Sequence, residues 1–324
     1  MTPVPSCPAA VSVFLCTRDG DVVALRRDDH SWAVEPVLEA AGAQCVATDG
    51  IRVLVGTRGA GVYLSRDDGG RFEPVDLPER DVFSVAISPA DGALYAGTEP
   101  SRLFVARDGG AVTELEALQD VPSRPRWSFP QRPWTHHVRW IAPDPHRAER
   151  LLVGIELGGV MRSDDGGATF SDHRPGAKLD AHQLSWHPLA PSRAYQAAGD
   201  GAAWSRDGGE TWATADTGRD RGYCWALAVD PDDPDCWYVS AASGPGAAHA
   251  GGARARGRLY RWEGGRWRTL ALPDEAMPYA LAATNGDLLV GTSDGRVLRS
   301  GDRGGRFEDT GVRVASISAM AAPR

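Results

Sequence analysis

The fold of this chain is decided by a short segment that recurs along it, SRDGGETW, Ser205 to Trp212. Ser163 to Phe170 (SDDGGATF) repeats the pattern Ser-x-Asp-x-Gly-x-Thr-aromatic in full. Ser65 to Phe72 (SRDDGGRF) and Ser300 to Phe307 (SGDRGGRF) keep all of it except the Thr, which is replaced by Arg. Three more divergent copies fill the gaps: Leu25 to Trp32, Ala106 to Thr113 and Tyr260 to Trp267.

The copies end at regularly spaced positions. These closing residues are Trp32, Phe72, Thr113, Phe170, Trp212, Trp267 and Phe307, which follow one another at intervals of 40, 41, 57, 42, 55 and 40 residues. A period of about 40 residues is typical of repeat proteins that build one small sheet per unit. The sequence therefore predicts an all-β protein, a single seven-bladed β-propeller with four-stranded blades, and one domain over residues 1–324.

The motif has a mechanical reason. An Asp in a turn accepts hydrogen bonds from nearby backbone N–H groups, and Gly supplies the positive φ that the chain reversal needs. The closing aromatic residue then begins the next strand and packs between neighbouring sheets. The pattern resembles the BNR or Asp-box repeat of sialidases, sortilin-type receptors and photosystem assembly factors. That resemblance implies a propeller in which the motif is structural and lies away from the active site.

The two ends of the chain are expected to complete one another. The N-terminal part supplies three strands: Val11 to Cys16, Val22 to Arg26 and Trp32 to Val37. Val314 to Ala321 reads as a fourth strand with no blade after it. Pairing this last strand with the first one completes blade one as its innermost strand. Closure also removes the exposed sheet edges of an open array.

Composition narrows the classes of function. The chain has 324 residues and a formal net charge of -8, which argues against a nucleic-acid partner or an anionic membrane surface. Five Cys residues in no metal-like spacing read as reduced, mostly buried thiols. The N-terminal apolar stretch is short and lacks a basic flank, so we expect no signal peptide and a cytoplasmic protein.

Two stretched intervals place long loops on the face opposite the repeated turns. One is the Pro-, Arg- and Trp-rich insertion Glu116 to Thr135, and the other is the Gly- and Ala-rich insertion Ser243 to Arg256 with His249. Long loops on a rigid scaffold are where binding residues concentrate. Counting back from the closing turns puts seven residues at one height near the channel mouth: Ala43, Phe83, His137, His182, Trp225, Tyr279 and Ile317.

Polar and aromatic side chains gather in blades four to seven, which is the distribution expected of a site. The predicted catalytic residues are His137, His182, Tyr223, Tyr279, Arg139 and Glu156. The predicted substrate-binding residues are Trp134, Trp225, His136, Gln183, Asp180, Glu99 and Arg58. Structural interpretations remain open: a His beside an Asp can be a satisfied turn residue, and aromatic side chains can plug a channel.

Two kinds of chemistry fit an enzyme with these residues, a hydrolase or lyase for a small anionic or carbohydrate-like molecule. His137 (or His136) and His182, with Gln183 or Glu156, could bind one divalent Zn, Mn or Fe ion that activates water. Without a metal, the same groups serve as general base and acid, with Arg139 holding an anionic substrate and a Tyr donating the proton.

Two alternatives concern other activities. A sialidase of the resembling family requires an Arg-Ile-Pro motif, which this chain lacks, and the sequence therefore argues against that activity. The other alternative is a non-catalytic scaffold that binds a protein partner. The Val121 to Trp134 loop would then form the contact surface, because Trp and Arg dominate binding hot spots.

Overall fold

The structure is a computed structural model that describes residues 12–27, 31–39, 41–129, 135–250, 252–284 and 286–323. Within these ranges the chain forms a seven-bladed β-propeller of antiparallel sheets. The predicted fold is confirmed.

The strands have the following bounds. The first half contains β1 (Ser12–Thr17), β2 (Val22–Arg27), β3 (Trp32–Leu38), β4 (Ala43–Thr48), β5 (Val53–Thr57), β6 (Val62–Ser65), β7 (Phe72–Val75), β8 (Val82–Ile87), β9 (Leu94–Thr98), β10 (Leu103–Ala106), β11 (Thr113–Glu114), β12 (Val138–Pro143), β13 (Leu151–Ile155) and β14 (Gly159–Ser163). The second half contains β15 (Ala181–Trp186), β16 (Ala194–Ala198), β17 (Gly201–Ser205), β18 (Ala213–Thr214), β19 (Tyr223–Val229), β20 (Trp237–Ala242), β21 (Arg258–Glu263), β22 (Arg266–Leu270), β23 (Pro278–Thr284), β24 (Asp287–Thr292), β25 (Arg296–Ser300), β26 (Glu308–Arg313) and β27 (Ile317–Ala321).

Each blade is a meander of consecutive strands. Blades two, three, five, six and seven are β4 to β7, β8 to β11, β15 to β18, β19 to β22 and β23 to β26. Blade four comprises β12 to β14, and its outer position is held by a single bridge between Arg162 and Ser171. Short helical turns occur only in the two insertions among the described residues: 3₁₀ turns Glu116–Asp120, Arg124–Arg126 and Gly252–Ala255, and the α-helix α1, Pro245–His249.

Blade one is closed by the C-terminal strand, as the sequence predicts. Its sheet has the order β27, β1, β2, β3, and the β1–β27 ladder pairs Phe14 with Ala321 and Cys16 with Ala319. Ile317 at the start of β27 is fully buried against blade seven and blade one. Both ends of the described chain are therefore tied into one sheet.

The repeated motif forms the turn between the third and fourth strands of a blade. We call the four turns that begin at Ser65, Ser163, Ser205 and Ser300 the Ser–Asp turns. In blade five, Asp207 accepts hydrogen bonds from Ser205 Oγ at 2.7 Å, from the Thr211 N–H at 2.9 Å and from Thr211 Oγ1 at 2.6 Å. The other three turns repeat the bond from the Ser hydroxyl to the Asp carboxylate. Every oxygen of the Asp207 carboxylate is thus used to hold the turn.

Hydrophobic clusters fill the spaces between blades. Among the described residues, seven clusters each join one pair of neighbouring blades. The closing aromatics contribute as predicted: Trp212 packs between blades four and five, and Trp267 packs between blades five and six. Burial of such large apolar surfaces is the dominant stabilising term of this architecture.

A β-bulge interrupts the innermost strand of every blade near the same end of the propeller. In six blades one extra residue stands at the interruption: Gln44, Phe83, Arg139, His182, Tyr279 and Ser318. In blade six two residues, Trp225 and Ala226, lie opposite Ser240, and Trp225 is the one that corresponds to His182. Bulges re-aim side chains and occur often beside functional sites. We call this end of the propeller the mouth; the Ser–Asp turns lie at the opposite end.

The bulges correct the height alignment made from the sequence. Phe83, His182, Trp225 and Tyr279 do occupy equivalent positions. In blade four the equivalent residue is Arg139, and His137 lies two residues earlier along the chain. Ala43 and Ile317 are each one residue away from the bulged Gln44 and Ser318. Counting back from the closing turns fails where the connection between the first two strands of a blade differs in length.

The cysteines in the described residues are reduced and mostly buried, as the sequence predicts. Cys16, Cys45, Cys224 and Cys236 are free thiols, three of them buried, whereas Cys7 lies outside the described residues. None of the helices in the described ranges has the length and hydropathy that crossing a bilayer requires.

Candidate functional site

Glu156 is the centre of a polar cluster at the mouth of blades four and five. It directly follows β13, so its carboxylate lies beside the first residues of β12. Its Oε2 atom is 2.6 Å from His137 Nε2 and 3.3 Å from Arg139 Nε. The side chain of Glu156 is mostly buried, with 12% of its surface exposed. One carboxylate oxygen is therefore held by two cationic or hydrogen-bonding partners of its own blade.

His182 approaches the other oxygen of the same carboxylate from blade five. Its Nδ1 atom is 2.6 Å from the carbonyl oxygen of Cys224 in blade six. A carbonyl oxygen only accepts, so Nδ1 carries the ring hydrogen and, in the neutral ring, Nε2 offers a lone pair. Nε2 is buried, has no hydrogen-bond partner, and lies 3.9 Å from Glu156 Oε1 and 3.6 Å from Asp180 Oδ1.

Asp180 completes this group because a glycine leaves room for it. The backbone N–H of Asp180 donates to Asp200 Oδ1 at 3.2 Å, which holds the loop before β15. A Cβ atom at Gly199 would lie 1.8 Å from Asp180 Oδ2 and 2.8 Å from the ring of Tyr223. Any side chain at position 199 would thus expel the carboxyl group from its place. We call Glu156, His137, Arg139, Asp180 and His182 the mouth cluster.

The carboxyl groups of Glu156 and Asp180 have opposite electrostatic surroundings. Burial would raise the pKa of Glu156, but the hydrogen bond from His137 and the charge of Arg139 lower it to about 2. Burial raises the pKa of Asp180 to about 7, reinforced by the negative charges of Glu156 and Asp200. Burial also lowers the pKa of His182 to about 4. Carboxyl groups pushed apart in this way are common in active sites.

The backbone beside Glu156 is strained. Leu157 has φ of 55° in the tight turn from β13 to β14, a conformation that costs a non-glycine residue energy. Such outliers concentrate at functional sites, where the surrounding structure over-determines them. Here the turn fixes Glu156 at the mouth.

Aromatic rings continue the cluster towards blade six. The ring of His182 lies 5.0 Å from Tyr223 and 5.2 Å from Trp225, measured between ring centroids. Arg139 spans the gap between blades, with its Cζ atom 5.5 Å from the Trp225 ring. Burial, followed by the charge of Asp180, raises the pKa of Tyr223, so its hydroxyl keeps its proton at neutral pH. The mouth therefore combines ionisable groups with a partly exposed indole.

Tyr279 joins this aromatic row but has a structural role. Its ring lies 5.5 Å from Trp225, and only 3% of the residue is exposed. Its hydroxyl donates to the carbonyl of Ala248 in α1, so the insertion between β20 and β21 packs over it. This hydrogen bond engages the Tyr279 hydroxyl with the backbone, and the proton-donor role of Tyr279 stays a prediction.

Trp127, in the described part of the insertion between blades three and four, is buried. Trp127 is 6% exposed and donates from Nε1 to Ser123 Oγ at 2.9 Å. His136 packs edge-on against Trp127, with ring centroids 5.4 Å apart, and so lies on the insertion side while His137 contacts Glu156. Trp134, predicted to bind substrate, lies outside the described residues.

The remaining predicted residues fall into different places. Gln183 exchanges two hydrogen bonds with the backbone of Leu227, at 2.8 and 2.9 Å, so its amide links blades five and six. Its role in substrate binding stays a prediction. Glu99 approaches His137 Nδ1 at 3.3 Å and accepts from Thr135, which places it at the edge of the cluster. Arg58 is exposed on blade two, and no contact in the described part of the chain links it to the cluster.

Sequence reasoning missed two contributors, Gly199 and Arg18, and did not assign a third, His249, to the site. Gly199 carries no pattern that distinguishes it from an ordinary turn glycine. His249 was noticed in its insertion, and the structure places its ring 5.3 Å from Trp225. Arg18 in blade one lies over the Tyr279 ring at 4.7 Å. Only the position of His249 in a long loop at the mouth could have identified it beforehand.

Two surface cavities lie elsewhere. A cavity of about 420 Å³ lies between the outer strands of blades two and three, and one of about 580 Å³ lies beside the turns of blades three and four. Neither is lined by a residue of the mouth cluster. We assign no function to either cavity.

Comparison with known proteins supports the fold. No protein-family model matches the chain, and no curated protein matches it. Its structure is similar to that of an ancestral GH74 enzyme, with a TM-score of 0.63 and 15% identity over 90% of this chain, which spans 38% of that enzyme. It is also similar to the WD40 β-propeller domain of Doa1 (0.59, 15%, covering 89% and 88% of the two chains) and to YCF48 bound to a D1 peptide (0.57, 17%, covering 83% and 81%). Identities this low establish a shared propeller fold alone.

Proposed function

We propose that the mouth cluster is the substrate site of a hydrolase or lyase that acts on a small carbohydrate-like or anionic molecule. The observation that carries this proposal is the buried carboxylate of Glu156, which is approached by imidazoles from two blades and by Arg139. A propeller needs none of these groups for closure. Buried ionisable groups cost free energy unless paired, so their concentration in one sector suggests selection for chemistry.

The proposed roles follow from the chemistry of each side chain. Glu156 and His137 form the proton-accepting side, and the Tyr223 hydroxyl can donate a proton to a leaving group. Arg139 can hold a carboxylate or hydroxyl of the substrate. Trp225 offers a flat apolar face on which a sugar ring can stack, and His249 lies beside it.

The alternative is a scaffold that binds a protein segment through residues 121–134. The similar structures include both an enzyme and a propeller bound to a peptide, so they do not favour either function. The burial of Trp127 counts against the scaffold, because hot-spot residues must be reachable by a partner. We therefore prefer the small-molecule site.

A substrate screen tests the proposal. The full-length protein is incubated with neutral and uronic-acid oligosaccharides, and reducing ends and unsaturated products are measured. We expect turnover that falls about 10²- to 10⁴-fold in Glu156→Gln, as for the loss of an acid–base group. Glu73→Gln, at an exposed position on blade two, is the matched control and should keep full activity. Equal activity in Glu156→Gln and wild type would overturn the proposal, and so would binding of peptides alone.

A further inference from the structure

The buried Nε2 atom of His182 has no hydrogen-bond partner in the cluster. Its Nδ1–H is committed to the Cys224 carbonyl, so its buried Nε2 lone pair faces the oxygens of Glu156 and Asp180. Acceptors do not bond to one another, and neither Nε2 nor Asp180 Oδ1 has a hydrogen-bond partner. A buried arrangement of three such groups is stable only if a proton or a cation lies between them.

The separations fit an ion better than a hydrogen bond. Hydrogen bonds between nitrogen and oxygen span about 2.7–3.2 Å, whereas Nε2 lies 3.6 and 3.9 Å from the two carboxylate oxygens. Ligand atoms around a tetrahedral ion with bonds of about 2.0 Å stand about 3.3 Å apart. One ligand atom from each of Glu156, Asp180 and His182 lies within 4.8 Å of the others. A small closure of these side chains would complete a coordination shell.

The surroundings of the three groups are those of a supported metal site. A metal-binding histidine normally donates its other ring N–H to a carbonyl or carboxylate, as His182 does to Cys224. Binding carboxylates are in turn held by hydrogen bonds, and His137 with Arg139 holds Glu156 through Oε2, leaving Oε1 towards His182. Gly199 provides the space for the Asp180 carboxyl.

The charge of the mouth also favours a cation. The carboxyl groups of Glu99, Glu156, Asp180 and Asp200 gather around the cluster, where Arg139 is the guanidinium in contact with Glu156. Such a surplus of negative charge repels an anionic substrate. A bound divalent cation would remove this repulsion.

A structural role alone does not explain the histidine. At the equivalent bulge of blade two, Gln44 donates from Nε2 to the Val82 carbonyl of blade three at 2.8 Å. This bond is the counterpart of the one from His182 to Cys224. A glutamine is therefore enough to make this hydrogen bond between neighbouring blades. The second ring nitrogen of His182, Nε2, takes no part in it.

The geometry points to a site in which Glu156, Asp180 and His182 bind one divalent first-row metal ion. One imidazole and two carboxylates suit Zn²⁺ or Mn²⁺. The inference rests on the proposed function, because it names the cofactor of the same site. It replaces the ligand pair expected from the sequence, His137 and His182, with a set in which His137 supports Glu156.

Calorimetric titration of chelator-treated full-length protein with ZnCl₂ and MnCl₂ tests the site. We expect one equivalent of at least one ion to bind saturably. His182→Gln, which introduces the side chain that blade two carries at Gln44, and Asp180→Asn should each weaken binding by more than the about 10- to 100-fold that loss of a supporting residue costs. Asp76→Asn, the same change at an exposed position on blade two, should bind as wild type.

The outcomes separate this inference from the proposed function. Absence of saturable binding in the wild type, or wild-type affinity in both His182→Gln and Asp180→Asn, overturns the metal site. If His182→Gln fails to fold, Asp180→Asn alone decides. Full turnover of an oligosaccharide by chelated protein also overturns the metal site and leaves the proposed function standing. Stoichiometric binding lost in the variants, in a protein inactive on every oligosaccharide, supports the metal site and rejects the substrate class.

Discussion

Blade five carries an aspartate at each end of its sheet, and the two carboxyl groups have opposite surroundings. Asp207, in the Ser–Asp turn, accepts three hydrogen bonds from Ser205 and Thr211, and those from Thr211 help to lower its pKa against the effect of burial. Asp180, at the mouth, has an oxygen without a partner and a pKa raised by burial to about 7. Asp207 stabilises the fold through its hydrogen bonds, whereas the fold holds Asp180 in a position where one of its oxygens has no partner.

The same contrast applies to whole ends of the propeller. The four Ser–Asp turns repeat one hydrogen-bond pattern around the ring, which is the behaviour of a framework. The bulged positions at the mouth carry a different residue in every blade, from Ser318 to Trp225. Repetition at one end and variation at the other are expected if all blades share one scaffold and the proposed site lies at the mouth of blades four to six.

The largest effect should come from opening the ring, which removes the framework on which both ends depend. Truncation after Gly311 deletes β27 together with the last two residues of β26, and it exposes the inner edge of β1. We expect a loss of about 5 kcal/mol or more in the free energy of unfolding, comparable with the whole stability of many domains. Chemical denaturation measures it, and removal of only Pro323 and Arg324 is the control. A truncated protein that unfolds at the wild-type denaturant concentration would contradict closure by β27.

The second-largest effect is expected for Asp207→Asn, which makes in the Ser–Asp turn the same substitution that Asp180→Asn makes at the mouth. Asp207→Asn replaces one carboxylate oxygen with an NH₂ group, which cannot accept a hydrogen bond. Since the two bonds from Thr211 go to different oxygens, the turn loses one of them. We expect a loss of about 1–3 kcal/mol in the free energy of unfolding, with turnover and metal binding unchanged. Thermal unfolding and titration of the folded variant measure both. Normal stability with lost activity would place function at the Ser–Asp turns.

In chelator-treated protein, Asp180→Asn should raise the free energy of unfolding, whereas Asp207→Asn should lower it. The new amide can donate to His182 Nε2, which has no partner, and the substitution removes a buried carboxyl beside Glu156. We expect a gain of about 1 kcal/mol in the free energy of unfolding, measured by chemical denaturation. Equal destabilisation by Asp180→Asn and Asp207→Asn would erase the distinction between the two ends of blade five.

The smallest effect on stability is expected for His182→Gln. Because Gln44 makes the corresponding bond to the neighbouring blade, a glutamine should keep the link to Cys224. The free energy of unfolding of the chelated variant should stay within about 1 kcal/mol of the wild type. A loss larger than that of Asp207→Asn would show that the imidazole is part of the framework.

The fold was largely predictable because its signal is repeated. Seven closing residues gave the number of blades, and the unpaired segment Val314 to Ala321 predicted the closure made by β27, which begins three residues later at Ile317. Each copy confirms the others, so errors in one blade do not change the conclusion.

The site was predicted in part, because it depends on distances across blades. His137, His182, Arg139 and Glu156 are brought together as expected. The ligand role of Asp180 depends on the space that Gly199 leaves for its carboxyl group. The hydrogen bond from Tyr279 to Ala248 depends on how α1 packs over the mouth. Neither of these contacts can be predicted from the residues that neighbour Asp180 or Tyr279 in the sequence. The height of His137 was misjudged because seven residues connect β12 to β13 and only two connect β23 to β24.

Anomalous diffraction from crystals grown with ZnCl₂ or MnCl₂ is the most direct test of the central claim, that the mouth of blades four and five is a site and not a plug. We predict one anomalous peak bonded to Glu156, Asp180 and His182 Nε2, at about 2.0–2.2 Å for zinc. The result that would contradict the account is an ordered mouth without a peak, in which His182 Nε2 or Asp180 Oδ1 hydrogen-bonds to another protein group.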